Sequence, residues 1–142
     1  MKPMEMNNIF ILKDLISLGG GQIKGRKKMQ KIVYIIQELK NPFKPSFKFE
    51  WNYYGVYSDE LANELRIGEF FNIVKETPIE EYGYHSYAIE TVNDTVTKST
   101  PIKENIQLGE LMKFLNSKEA RVLEVLSSII FFKQKGFSKE EA

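Results

Sequence analysis

The chain has 142 residues, 42% of them hydrophobic and 13% aromatic, with 20 Lys+Arg against 19 Asp+Glu and a formal net charge of +1. One domain's length with that apolar content excludes a disordered tail, and the near-zero charge excludes a uniformly basic nucleic-acid coat. With no cysteine and a single histidine, disulfide frameworks, zinc–thiolate sites and histidine clusters are excluded, so no cofactor or metal is expected. No run approaches the roughly 18 apolar residues of a membrane span. The start, Met1 to Asn8, lacks a secretory apolar run, so a cytoplasmic protein without a membrane partner is expected.

The balance of charge is local cancellation. Residues 1–54 carry ten Lys/Arg and four Asp/Glu, residues 55–95 two and nine, and residues 96–142 eight and six. A basic third therefore precedes an acidic one, and any binding argument must name its surface.

In chain order, Ile9, Leu12, Leu15 and Ile16 recur at helical spacing and predict a helix over 8–18. Gly19, Gly20 and Gly21 end it; they follow neither the Walker nor the dinucleotide pattern, so they read as a C-cap and turn. A second helix is expected over 25–40, with Met29, Ile32, Val33, Ile36 and Leu39 inward. Arg26, Lys27, Lys28 and Lys31 crowd its first turns, against the helix dipole, on what reads as a solvated basic face. Asn41 and Pro42 stop it. Phe47, Phe49, Trp51 and Tyr53 then alternate with polar residues, the period of a strand with an aromatic face.

Tyr54 to Tyr57 reads as a turn. Ser58 caps a third helix with Asp59 and Glu60 in its first turn, and Gly68 is expected to end it. Residues 70–76 and 84–92 make a hairpin, and 93–101 a polar linker. A helix is expected at 103–116. Another, at 118–135 and capped by Ser117, is apolar nearly all round and so belongs in a core or an interface. Ser138 to Glu141 has the form of a capping box opening a further helix.

This order predicts a single domain over 1–142 of α+β class, mostly helical. It comprises a winged helix-turn-helix-like core over 1–95, with a β-hairpin wing, and a C-terminal helical hairpin over 103–136 packed on it. In the DNA-binding form of that fold, the helix before the hairpin enters the major groove. Here that helix carries Asp59, Glu60, Glu64 and Glu69 against Arg66, and phosphates repel such an element. The better nucleic-acid candidate is the cluster Lys24, Arg26, Lys27, Lys28 and Lys31, with Lys44 and Lys48 nearby.

Gly25-Arg26-Lys27-Lys28-Met29-Gln30-Lys31-Ile32-Val33-Tyr34, then Phe49, then Tyr54-Gly55-Val56-Tyr57-Ser58-Asp59-Glu60-Leu61 resembles the YwgA family of prokaryotic proteins over about residues 8–136. The arrangement is more distantly similar to the Panacea (SocA-like) antitoxin domain. Val56 stands where those patterns have proline. The first resemblance implies a winged-helix-like fold without known catalysis; the second implies neutralising a partner toxin by protein contact.

Three functions compete. The first is a non-enzymatic, protein-binding module, regulatory or antitoxin-like, acting on a protein partner or as a homodimer. Its face would comprise Tyr54, Tyr57, Asp59, Glu60 and Glu64. The second is a DNA-binding transcriptional regulator using the basic start of the second helix. The third, an enzyme, would need acid–base work from Glu80 and Glu81 with Tyr82 or His85, and no positioned pair is evident. No small-molecule substrate is indicated.

Overall fold

The structure is a computed structural model that describes residues 3–53, 55–81, 84–92 and 100–136. These residues form α1 (Pro3–Leu18), β1 (Gln22–Lys24), α2 (Arg26–Leu39), β2 (Glu50–Asn52), β3 (Gly55–Tyr57), α3 (Asp59–Phe70), β4 (Val74–Glu81), β5 (Tyr84–Thr91), α4 (Ile106–Asn116) and α5 (Ala120–Gln134). A 3₁₀ turn at Pro101–Glu104 precedes α4. The architecture is α+β and mostly helical.

Helix α2 is the axis of the fold, buried on every side from Met29 to Gln37. The basic, solvated outer face expected for it is partly covered: Gln30, Lys31 and Gln37 are buried. Gln30 and Lys31 lie under Ser58 and β3. Gln37 lies under the stretch after the helix, its Nε2 donating to the Phe47 carbonyl at 2.8 Å and its Oε1 accepting from the Phe47 N–H at 2.9 Å. Glu60 Oε1 likewise accepts from the Lys48 N–H at 2.6 Å. With these groups engaged by side chains, the period-2 stretch forms a strand only at Glu50–Asn52. Its aromatic face divides: Phe47 packs in the core, while Trp51 and Tyr53 are exposed.

Residues 55–57 are a strand rather than the expected turn. β3 pairs antiparallel with β2, Trp51 opposite Val56. Gly55 has φ 95°, a conformation that disfavours any side chain.

The larger sheet has the order β1-β5-β4. Three-residue β1, absent from the sequence reading, pairs with β5. The hairpin begins at Val74, later than expected, because α3 runs on to Phe70. Pro78 lies on β4, an edge strand, where its missing N–H is tolerated. Glu90 on β5 binds both neighbours, accepting from Thr77 Oγ1 at 2.5 Å and Gln22 Nε2 at 2.8 Å. Those bonds hold its pKa below the usual carboxylate value.

Ser58 caps α3, its Oγ accepting from the Leu61 N–H at 3.1 Å, an interaction of about 1 kcal/mol. Gly68 does not end the helix; it lies within it against Ile9. A Cβ there would overlap Ile9 Cδ1 and come within 2.8 Å of Ile9 Cγ1.

Asn105 caps α4, accepting from the Leu108 N–H at 3.0 Å, so the helix expected at 103–116 begins later, after the 3₁₀ turn. Ser117 ends α4, and Glu119 rather than Ser117 stands at the N-cap of α5. Asp14 on α1 anchors the entry to this half, accepting from the Thr100 N–H at 2.5 Å and Oγ1 at 2.7 Å. Leu108, Met112, Leu115 and Leu123 share one core with Ile9, Leu12, Ile32 and Ile36. Residues 93–99 of the linker expected at 93–101, and the capping box at 138–141, lie outside the described residues, while Pro101 opens the 3₁₀ turn.

Candidate functional site

The start of α2 borders a cleft, with Arg26 and Lys27 exposed on its rim. Its walls come from α2, the β2–β3 hairpin, α3 and the β4–β5 sheet, and its volume is about 750 Å³. Arg26, Lys27, Gln30 and Lys31 line one side. Asn52, Tyr53, Gly55 and Tyr57 line a second, and Ala62, Leu65, Arg66 and Glu69 a third, with Val74, Glu76 and Ile89 from the sheet.

Its charges are partly paired. Arg26 donates from Nε and Nη2 to the two oxygens of Glu76, each at 2.6 Å. Its guanidinium also lies 5.1 Å from the centroid of the Tyr87 ring. The hydrogen bonds that Arg26 donates to Glu76 hold it above its ordinary pKa. Lys31 is only 2% exposed; its Nζ donates to the Val56 carbonyl at 3.4 Å. Burial pushes its pKa down, with Glu124 opposing and Lys27 reinforcing the shift. A charged group pays for leaving water unless strong acceptors replace it.

Among the other predicted basic residues, Lys28 is half-buried and donates from Nζ to the Asn116 carbonyl at 2.7 Å. Burial lowers its pKa, and neighbouring Lys24 adds to the effect. Asn116 also donates from Nδ2 to the carbonyls of Gly19 and Gln22, so Lys28 belongs to a junction joining α4, β1 and α2. Lys24 and Lys27 are exposed. The structure thus gathers Arg26, Lys27 and Lys31 in one cleft and separates Lys24 and Lys28 from it.

Asp59, Glu60 and Tyr57 line a second, smaller cleft of about 410 Å³ with Lys48, Glu50, Trp51 and Asn52. Glu64 lines neither cleft. Tyr54 and Tyr82 lie outside the described residues, and for Glu81 and His85 the description stops at the backbone. Glu80 is exposed. No group of three or more potential metal ligands occurs among the described residues.

Beside the acidic cleft runs an apolar ridge. Val122, Val125, Ile129 and Phe132 follow one face of α5, exposed by 49%, 50%, 58% and 38%. Trp51 continues it onto the hairpin, its ring 4.5 Å from that of Phe132. Helix α5, apolar nearly all round in sequence, is therefore peripheral: it buries Leu123, Ser127 and Phe131 and presents its other apolar face outward. Apolar and charge patterning does not place Glu69 and Glu76 opposite the basic cluster, although the carboxylate excess of residues 55–95 is their signal, and it does not add Arg66 to the cleft's cations.

The fold and its clefts define a mostly helical α+β protein with a cationic cleft, an acidic cleft and an exposed apolar helix face. No helix among the described residues is long and apolar enough to cross a membrane. The chain belongs to the YwgA family. It is 32% identical over 118 residues to Uncharacterized protein YwgA of Bacillus subtilis (strain 168), a match covering 79% of this chain and 67% of that protein. No family model and no solved structure matches the chain.

Proposed function

We propose that this chain is a non-enzymatic, winged-helix-like module that acts by binding another protein, in a regulatory or antitoxin-like role. The element order α1-β1-α2-α3-β4-β5, with sheet order β1-β5-β4, supports the winged-helix reading. The β2–β3 hairpin is then an insertion before α3, and β4–β5 is the wing.

The observation that carries the binding mode is the ridge of Val122, Val125, Ile129, Phe132 and Trp51, which runs into the acidic cleft of Asp59 and Glu60. Contiguous exposed apolar surface rimmed by charge marks interaction sites, and tryptophan and tyrosine are enriched among binding hot spots. The occupant such a surface fits is an apolar segment flanked by Lys or Arg.

Three cations that a duplex-binding mode would use, Arg26, Lys28 and Lys31, are engaged by Glu76, Asn116 and Val56. Asp59, Glu60 and Glu69 are exposed on α3. Phosphates would meet repulsion there and few ready contacts.

The test is quantitative affinity purification from the host, comparing the wild-type chain with Asp59→Lys/Glu60→Lys. A protein partner lost from the double variant supports the reading. An unchanged set of partners counts against the acidic face, and duplex binding that weakens steeply with salt favours the nucleic-acid alternative.

A further inference from the structure

The protein-binding reading leaves the cationic cleft without a use. Its volume of about 750 Å³ lies in the range of small-molecule sites, which combine an apolar lining with a few convergent polar groups. Leu65, Val74 and Ile89 provide the apolar lining. Four cationic side chains, Arg26, Lys27, Lys31 and Arg66, stand against the two carboxylates Glu69 and Glu76. Arg26 and Glu76 satisfy each other, so the remaining excess is positive.

Lys31 is the one buried cation of the four. An ammonium has three N–H donors, yet among the described residues its hydrogen bond is to the Val56 carbonyl at 3.4 Å, long for such a bond. A buried lysine with so little acceptor capacity, lining an open cleft, has N–H donors to spare; Glu124 acts on it through charge, without a hydrogen bond between them among the described residues.

We propose that this cleft binds a small amphiphilic organic acid, its anionic head on the Lys31 ammonium and its apolar body over Leu65, Val74 and Ile89. The head restores the acceptors that burial removed, and the body covers apolar surface. Positive excess excludes an amine with the same body, and a neutral alcohol gains only the apolar part.

The test titrates octanoate, octanol and octylammonium into the full chain, followed by amide chemical shifts in NMR. The expected result is saturable octanoate binding with shifts around the cleft, octanol weaker by about tenfold or more, and no octylammonium binding there. Lys31→Met, nearly isosteric, should weaken octanoate by about tenfold, the scale of a lost charged hydrogen bond. Arg66→Glu, at an exposed position, should also weaken it, and decides the matter should Lys31→Met fail to fold. No saturation by about 10 mM, a dissociation constant typical of negligible affinity, overturns the proposal. Equal octanol binding, shifts confined to α5, or an unchanged affinity in either folded variant overturns it as well.

Discussion

Gln30 and Ser58 exchange two hydrogen bonds: Gln30 Nε2 donates to the Ser58 carbonyl at 3.0 Å, and the Ser58 N–H donates to Gln30 Oε1 at 2.8 Å. A side-chain amide here takes the place of a strand partner. Both residues are buried, and the pair fixes the first turn of α3 against the middle of α2. Gln37 does the same for Phe47 two turns later. The hairpin, the acidic cleft and the cationic cleft all depend on these two clamps.

Replacing Gln30 with leucine should therefore strand the buried Ser58 N–H, while the Ser58 carbonyl keeps its bond from the Ala62 N–H. An unsatisfied buried donor costs about 1–3 kcal/mol, and a loss of that size is expected in urea denaturation. Gln30→Glu keeps the acceptor for the Ser58 N–H but presents an oxygen to its carbonyl, so it should also destabilise. Full stability in both variants would remove the clamp from the account.

Gly68 and Ile9 should behave as a coupled pair. Gly68→Ala forces a methyl into Ile9, an overpacking cost of about 1–3 kcal/mol. Ile9→Val removes Cδ1 and costs about 0.5–1.5 kcal/mol by itself. The double variant should lose less than the two single losses together, and a thermal-denaturation cycle measures the difference. Additive losses would mean that α3 shifts away from α1 instead.

Lys31 should make stability depend on alkaline pH. Burial holds its folded pKa below the ordinary 10.5. Between those two values the unfolded chain binds more protons than the folded one, so stability rises with pH across that window. Lys31→Met removes the buried charge and should match or exceed the wild type near neutrality, as apolar replacement of buried charges often does. Its advantage should shrink as pH approaches 10.5. Denaturation at several pH values checks this; a difference that stays constant, or grows with pH, would contradict it.

Much of the helical framework is legible in the amino-acid order, because apolar spacing and caps are local signals. Ser58 with Asp59 and Glu60 marks the start of α3, and Met29, Ile32, Val33 and Ile36 mark α2. β1 is not legible: Gln22, Ile23 and Lys24 hold one apolar residue and form a strand only because β5 lies beside them. Nor is the burial of Gln30 and Gln37, since a polar residue on a helix is assigned to water unless its partner is known. The basic cluster is visible as charge but not as a cleft. Arg66, Glu69 and Glu76 reach it from α3 and β4, and tertiary packing alone places them opposite Arg26. The apolar excess of α5 is legible as well, while its orientation is set by the β2–β3 hairpin and by Trp51 against Phe132.

If the ridge on α5 is a protein contact, crosslinking in the host will capture what sits on it. A photoreactive phenylalanine placed at Ile129, at the centre of the ridge, is compared with one at Lys27, on the cationic side. A discrete protein adduct is expected from position 129, whether with a second copy of this chain or with another protein, and it should be lost when Trp51→Lys is added. No protein adduct at 129, with nucleic acid captured at 27, would contradict it.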